Sequence, residues 1–313
     1  MTITAIQHST IQLAPSHSVN DASFASKDAA DRKFTVDLLS YDYNNSDRNR
    51  GQRAAGIVFK GDQFEGDVRV LKISSNTDIL IEENKMNPNE RSKISIRYID
   101  DLVFFKAAQT FNSKVCWSKS SSCRNCPEGE MFRFGVRRGS GRYTYQHDGR
   151  TRADVRNINQ EHRIINISAE RIVRQHFPGA YKEIKKWLRQ TAMRVPEFLG
   201  GENGLSLEMI VSHNLGNEAH VDQDVADKSV SLWTVGTGTT ENPRGSYFVL
   251  SYLTCVVEEK LYKGIVVKLR HGCGIEWNGR SIFHSSTSPL NTNEEINGFF
   301  LELQGYDSCS YVN

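Results

Sequence analysis

The sequence predicts an α+β protein that is mainly β, with a double-stranded β-helix (jelly roll) core, helices packed outside it and a β-rich N-terminal region. Three observations lead to this prediction. Seven short β-type segments follow one another after Leu205 with no helix between them. Several more β-type segments, separated by turns rich in Asn, Asp and Gly, precede residue 113. One helical stretch, from Ser168 to Met193, lies between the two groups.

The composition is that of an ordinary globular protein. The chain has 313 residues, of which 38% are hydrophobic and 24% charged, so it is long enough for one large domain or two small ones. No apolar run approaches the roughly 20 residues that cross a membrane. The first 30 residues lack the basic and apolar parts of a secretory signal. Six cysteines are too few for a disulfide scaffold, so we expect an intracellular protein with no membrane partner.

Four regions can be distinguished along the chain. Residues 1–32 are predicted to be a flexible polar arm, and residues 33–130 a β-rich region that includes a cysteine cluster. Residues 131–200 hold a basic loop and the helical segment, and residues 201–313 form the jelly-roll core, which carries a metal-ligand motif. The strands predicted in the second region are Phe34–Leu39, Gly56–Lys60, Val68–Ile73, Ile79–Ile81 and Ile94–Ile99.

The helical segment begins with Ser168 as a candidate N-cap, and Pro178 followed by Gly179 is expected to divide it. Its second part places Tyr181, Ile184, Trp187 and Leu188 on one face, which we interpret as a packing face. The strands predicted for the core are Leu207–His213, Ser229–Val235, Gly245–Tyr252, Gly264–Arg270, Gly274–Trp277, Arg280–His284 and Asn297–Leu303.

The strongest chemical motif consists of His220, Asp222 and His284. Residues two positions apart in an extended segment point the same way, so His220 and Asp222 can both reach one ion. His284 follows 62 residues after Asp222, at the end of a predicted strand. Two imidazoles and one carboxylate form the facial triad of non-haem iron(II) oxygenases. The alternative is that all three are ordinary polar residues without a metal.

The segments Asn242–Leu250 and Lys263–Arg280, together with His284, resemble the core of Fe(II)/2-oxoglutarate-type dioxygenases. More narrowly, they are similar to the algal and fungal branch related to the TET/JBP nucleobase oxygenases, over roughly residues 205–304. The resemblance implies that His220, Asp222 and His284 bind Fe(II). It also implies that O2 and a co-reductant are used to oxidise a nucleobase, in first place 5-methylcytosine in DNA. A eukaryotic protein with that substrate would be nuclear.

One departure from the family concerns the cosubstrate. Such enzymes usually bind the distal carboxylate of 2-oxoglutarate with an Arg or Lys after the second histidine, and this chain has neither after His284. The upstream candidates are Lys268, Arg270 and Arg280. An algal relative uses ascorbate with polar and acidic side chains instead, a role that Asp224 could take here. The resemblance therefore leaves 2-oxoglutarate and ascorbate both open.

A basic segment precedes the core. Residues 131–163 contain eight arginines against three acidic residues, although the whole chain has a net charge of only +2. Guanidinium groups bind phosphates and tyrosines stack on bases, so this segment is predicted to bind nucleic acid. The candidate residues are Arg133, Arg137, Arg138, Arg142, Tyr143, Tyr145, Arg150 and Arg152. The alternative is a solvated basic loop that pairs with acidic surfaces of the same protein.

The cysteines Cys116, Cys123 and Cys126 include one C-x2-C pair with the spacing of a zinc site, which His147 or His162 could complete. Three loop thiols without a metal are the alternative.

Two other functions remain compatible with the sequence. One is an Fe(II) hydroxylase that acts on a protein side chain or a small metabolite. The other is a jelly-roll binding protein without enzymatic activity.

Overall fold

The computed structural model of the protein describes residues 2–7, 53–83, 92–114, 128–139, 142–147, 152–190, 193–222 and 227–302. The predicted strand Phe34–Leu39 lies outside these residues, and so do Cys116, Cys123 and Cys126. The same holds for Arg150 and Asp224. Their predicted roles therefore stay predictions.

The elements that precede the basic segment are mostly short strands. In chain order they are β1 (Thr2–Gln7), β2 (Arg53–Val58), α1 (Asp62–Glu65), β3 (Leu71–Ile73), β4 (Thr77–Glu83), β5 (Ser92–Tyr98) and α2 (Leu102–Lys114). The basic segment and the residues after it contain β6 (Glu128–Gly139), β7 (Arg142–His147), α3 (Arg152–His176) and α4 (Pro178–Gln190). Among the described helices, none combines the length and the apolar character needed to cross a membrane.

The C-terminal part of the chain is made of strands, after two 3-10 turns at Glu197–Leu199 and Gly201–Asn203. The strands are β8 (Glu208–Gly216), β9 (Glu218–Val221), β10 (Ser229–Val235), β11 (Tyr247–Val257), β12 (Lys260–Lys268), β13 (Cys273–Trp277), β14 (Ser285–Ser286) and β15 (Ile296–Glu302). The predicted α+β class, mainly β, is confirmed.

Most strands belong to one large, largely antiparallel sheet. Its order is β3-β12-β11-β1-β4-β5-β13-β10-β15-β8-β6-β7, with β14 paired to β11. A second, two-stranded sheet pairs β2 with β9. An isolated bridge between His220 and His284 connects this small sheet to the segment just before β14. Strands that are distant in sequence therefore meet at the two histidines.

The sheet separates two hydrophobic clusters because side chains alternate along each strand. On β10, Leu232 packs with the helices α2, α3 and α4, and the neighbouring Trp233 packs into the interior enclosed by the strands. The helix side is closed by contacts such as the edge-to-face pair of Phe104 and Phe299, with ring centroids 5.7 Å apart. The interior also contains Phe248 and Trp277, which line the metal-ligand motif.

The predicted flexible arm is corrected at its start. Thr2–Gln7 form β1, which runs parallel to β4 and antiparallel to β11 inside the large sheet. Ile3 and Ala5 are buried. The polar composition of the arm concealed this strand, because its partners lie about 75 and 250 residues further along the chain.

The predicted basic loop is also corrected. Residues 128–139 and 142–147 form a β-hairpin, and β6 continues the sheet by pairing with β8. The helix that was predicted to begin at Ser168 begins at Arg152. Turn-forming glycines and closely spaced arginines favoured a loop, but pairing with β8 supplies backbone hydrogen bonds that local composition does not reveal.

Two local predictions around the motif are wrong as well. The predicted core strands leave His220 in the loop between Leu207–His213 and Ser229–Val235, whereas it lies in β9. The predicted strand Arg280–His284 is a turn followed by the bridge at His284, and β14 begins only at Ser285.

Candidate metal centre

Backbone hydrogen bonds hold the three motif residues together. The amide of His220 donates to the carbonyl of His284, and the amide of His284 donates to that of His220, both at 3.0 Å. The amide of Asp222 donates to the carbonyl oxygen of Gly279 at 2.7 Å. The positions of the three side chains are therefore set by paired backbone segments and not by free loops.

The donor atoms of the triad face one another. His220 Nε2 lies 3.4 Å from Asp222 Oδ1, and His284 Nε2 lies 3.3 Å from Asp222 Oδ2. All three ligand atoms lie within 4.8 Å of one another. Ligands bound at about 2.1 Å from a metal and at right angles would be about 3.0 Å apart, so the spacing fits one divalent ion. Within the described ranges, no other group of three such residues meets this condition.

Both histidine rings are held in the orientation that a metal requires. His220 Nδ1 lies 2.7 Å from the carbonyl oxygen of Glu218, and His284 Nδ1 lies 2.9 Å from that of Ile282. Because a carbonyl can only accept, each Nδ1 carries the hydrogen and donates it. Each Nε2, the nitrogen directed at Asp222, is then the one left to bind a metal. In both cases the carbonyl belongs to the residue two positions earlier.

Asp222 is ionised in this environment. Burial raises the pKa of Asp222, but the charge of His284 and the hydrogen bonds from His220 and His284 outweigh burial and hold that pKa well below its usual range. A metal would replace the Nε2 hydrogens that His220 and His284 donate to Asp222, so the site offers one carboxylate and two imidazole nitrogens, a donor set that suits iron(II) and other first-row divalent metals.

Aromatic rings enclose the second histidine. Phe248 is stacked on the His284 ring with centroids 5.4 Å apart and planes 18° from parallel. Trp277 meets the same ring at 5.0 Å and 63°. Both aromatic side chains are only 1% exposed. They restrict the rotation of the imidazole and keep water from that side of the site, where the lower dielectric strengthens electrostatic interactions.

Gly279 makes room for the carboxylate, and the sequence did not single it out. A Cβ atom at this position would lie 2.6 Å from Asp222 Oδ2 and 2.6 Å from Ser229 Oγ. Such distances are below van der Waals contact, so a larger residue would displace the ligand. Because Gly279 also accepts the amide hydrogen of Asp222, its backbone and its missing side chain both position the triad.

The structure does not bring Lys268 to the triad. Phe248, which contacts His284, pairs with Val267, whereas the adjacent Tyr247 pairs with Lys268. Alternation therefore places Lys268 on the opposite face of the sheet. Its ammonium group donates to the carbonyl of Pro243 and lies 4.8 Å from the centroid of the Tyr247 ring.

The other two cationic candidates also have partners elsewhere. Arg270 lies over the ring of Tyr98 at 4.1 Å and donates to the carbonyl of Ser74. Arg280 follows Gly279 directly, so its backbone adjoins the site, but its side chain is exposed and lies 3.3 Å from Asp227. Of the candidates that the structure describes, only Arg280 is near the triad.

The predicted nucleic-acid residues fall on the hairpin and at the start of α3. Arg138 is paired with Tyr143, and Arg137 with Thr144, next to the turn of the hairpin. Arg133 lies on β6 opposite Ile210 of β8. The remaining described candidates lie in the same two strands or at the first residue of α3: Arg142 and Tyr145 in β7, and Arg152 in α3.

The two histidines considered for zinc are placed differently. His147 pairs with Phe134 at the end of β7. His162 is fully buried inside α3, and burial lowers its pKa to about 3, so it is a neutral core residue.

Comparison with known proteins found no matching family model and no matching curated protein. Among solved structures, one that resembles this chain is described as NgTET1 in complex with 5mC DNA. The TM-score is 0.47 with 8% sequence identity, over 79% of this chain and 82% of that chain.

Proposed function

We propose that the protein is a non-haem iron(II) dioxygenase that oxidises a nucleobase, in first place 5-methylcytosine in DNA, with O2 and either 2-oxoglutarate or ascorbate. One observation carries the metal part of the proposal. Two histidine Nε2 atoms, each on a ring that an Nδ1–H bond to a backbone carbonyl orients, face the two oxygens of one ionised carboxylate. Three protein ligands on one side of an ion leave its other positions open for O2 and a cosubstrate.

We also infer that strands β8 to β15 form a jelly roll. The order β8-β15-β10-β13 runs through the large sheet. The other four strands are connected through the His220–His284 bridge, the β14–β11 pair and the β11–β12 hairpin. Successive strands alternate between the two sets except at that hairpin, which is the connectivity expected of two Greek keys. The triad then lies at one end of the roll, where β9 meets β14.

The chain's own residues would act by positioning. Iron(II) bound there would supply the activation of O2 for the oxidation of a C–H bond. His220, Asp222 and His284 would hold the metal, while Phe248 and Trp277 pack against the ring of His284 and exclude water there. The carboxylate of Asp222 would offset one of the two charges of a divalent metal, and Gly279 leaves the space in which that carboxylate lies.

The DNA part of the proposal rests on the basic hairpin. Among the described strands, β7 is the last of the large sheet, and Arg137, Arg138, Arg142 and Tyr143 lie on β6 and β7 close to the turn of the hairpin. Arginines that bind phosphates would suit an enzyme that must flip a base out of the duplex.

Metal binding is tested first. Anaerobic titration of the wild type with Fe(II) should show one tight site, and His220→Ala and Asp222→Ala should each lose it. His176→Ala is the matched control, because it removes an imidazole on α3 that faces Arg97 and Asp101 and lies outside the triad. Unchanged iron binding in the two triad variants would refute the metal centre.

Substrate and cosubstrate are tested with the Fe(II)-loaded protein. Duplex DNA that contains 5-methylcytosine is incubated with O2 and either 2-oxoglutarate or ascorbate, and the loss of 5-methylcytosine is measured by nucleoside mass spectrometry. We expect loss with one of the two cosubstrates. If instead a peptide or a small metabolite is oxidised while the DNA is unchanged, the nucleobase assignment is wrong. If nothing is oxidised and iron is absent, the protein is a binding module.

The hairpin is tested by the double variant Arg137→Ala/Arg138→Ala. It should weaken DNA binding and reduce the slope of log affinity against log salt by about 2, since each lost phosphate contact contributes about one unit. The charge-matched control is Lys182→Ala/Lys186→Ala, which removes two exposed cations from α4. Equal effects of the two double variants would make the hairpin an ordinary basic surface.

A further inference from the structure

Three buried polar atoms around the interior of the strand core have no hydrogen-bond partner among the described residues. They are Trp277 Nε1, Ser212 Oγ and Ser246 Oγ, and each side chain is at most 1% exposed. Trp277 belongs to the interior cluster, and alternation puts Ser246 on the same face as Phe248. Burying a hydrogen-bond donor without a partner costs free energy, so the interior is suited to binding a polar ligand.

Trp277 is the one of the three that contacts the triad. Its indole meets the His284 ring at 5.0 Å. Ser229 on β10 is paired with Trp277 on β13. Ser229 also lies close to the carboxylate of Asp222, because Ser229 Oγ and Asp222 Oδ2 would both be 2.6 Å from a Cβ atom on Gly279. The side chain of Trp277 therefore lies between the ring of His284 and strand β10, whose Ser229 borders the carboxylate of Asp222.

A second buried indole in this interior, unlike that of Trp277, has a hydrogen-bond acceptor for its N–H group. Trp233 is also fully buried, on the adjacent strand β10. Its Nε1 donates to Ser231 Oγ at 2.9 Å. The core thus provides a hydroxyl acceptor for one indole and none, within the described residues, for the indole beside the triad.

We propose that Trp277 Nε1 donates a hydrogen bond to the small, oxygen-rich acid that occupies the open positions of the metal, and that it orients this ligand. The proposal rests on the metal centre proposed above. An indole nitrogen can only donate, and its best acceptor is an anionic oxygen. Lys268 and Arg270 are engaged elsewhere, so a neutral donor takes part in recognition where a cation would otherwise be used. A 2-oxo acid and an enediol acid both offer such an oxygen.

The first test observes the indole directly. The chain has four tryptophans, so the ¹⁵N-labelled protein gives four indole N–H signals in an NMR correlation spectrum, and Trp277→Phe identifies one of them. The protein is loaded with diamagnetic Zn(II), and 2-oxoglutarate or ascorbate is added in separate samples. We expect the Trp277 signal to move downfield with one of them, while the Trp233 signal stays in place.

The second test measures affinity by calorimetry on the Zn(II)-loaded protein. Trp277→Phe keeps an aromatic ring against His284 and Phe248 but removes the N–H. It should weaken the ligand about tenfold, which is about 1.4 kcal/mol, and leave Zn(II) affinity unchanged. Trp233→Phe is the matched control and should leave both affinities unchanged.

The outcomes separate the two proposals. If Zn(II) binds through the triad but neither acid binds, or an acid binds without moving the Trp277 signal, the role of Trp277 is refuted and its N–H is solvated by water only. If Zn(II) binding does not depend on His220 and Asp222, the proposed function fails instead. If Trp277→Phe folds poorly, the NMR test still stands, because nuclear Overhauser contacts to the His284 ring identify the Trp277 indole signal in the wild-type chain.

Discussion

Replacing Gly279 by alanine would place a methyl group against the carboxylate of the triad. The new Cβ would lie 2.6 Å from Asp222 Oδ2, whereas contacts shorter than 3.0 Å are essentially never observed and 3.4 Å is ordinary contact. The carboxylate oxygen or the backbone must therefore move by about 0.4–0.8 Å, which exceeds the roughly 0.2 Å tolerance of a metal–ligand distance.

We expect two measurable consequences of Gly279→Ala. The affinity for Fe(II) or Zn(II) should fall about 10–100-fold, as it does when a group that orients a ligand is lost. The free energy of unfolding of the metal-free protein should fall by about 1–3 kcal/mol, because the same methyl group also lies 2.6 Å from Ser229 Oγ in a packed region. Anaerobic metal titration and urea unfolding measure the two quantities.

Gly66→Ala is the matched control, because a Cβ at Gly66 would meet nothing within 4 Å. It should change neither quantity. If Gly279→Ala folds and binds metal as tightly as the wild type, then Gly279 does not set the position of Asp222, or Asp222 is not a ligand. Either result would refute the geometric account of the site.

Three further predictions concern stability. Burial lowers the pKa of His162 from 6.5 to about 3. Between these two pH values the unfolded chain binds one proton more than the folded protein, so the free energy of unfolding falls by about 1.4 kcal/mol for each pH unit of acidification. In urea unfolding, His162→Gln should therefore lose less stability than the wild type between about pH 6 and pH 4. Lys228 lies 2.7 Å from the buried Glu276, so Lys228→Met should lower the free energy of unfolding by about 3 kcal/mol. Adding Glu276→Gln to this variant should restore much of the lost stability in the same assay. If the second substitution restores none of it, the two residues do not form a buried ion pair. Ile3→Ala should cost about 2–4 kcal/mol because Ile3 is buried inside the sheet, whereas Val68→Ala, at a residue that is 70% exposed, should cost less than about 0.5 kcal/mol, as thermal or urea unfolding will show.

Strands with a clear hydrophobic pattern were predictable from the sequence. The segments Ile94–Ile99, Ser229–Val235 and Asn297–Leu303 coincide, within one or two residues, with β5, β10 and β15. They are rich in β-branched and aromatic residues that alternate between two packed faces, so the local signal and the tertiary structure agree. Segments whose partners are remote, such as β1 and the β6–β7 hairpin, gave no comparable signal.

The features of the triad can likewise be divided into those that are local to the sequence and those that depend on the tertiary structure. The i and i+2 spacing of His220 and Asp222 put both side chains on one side of an extended segment, which is a local property of the chain. The hydrogen bond from each histidine Nδ1 to the carbonyl two residues earlier is equally local. The residue types, their spacing and the carbonyl that each Nδ1 contacts therefore belong to the sequence around each ligand.

Only the tertiary structure decided what surrounds those ligands. The bridge that joins His284 to His220, the space that Gly279 leaves for Asp222 and the N–H of Trp277 beside His284 all depend on contacts between residues far apart in the chain. Lys268 was excluded from the site by strand register, since a shift of one residue moves a side chain to the other face of a sheet. Local sequence thus determined the donor atoms, and long-range pairing determined their distances and the groups that enclose them.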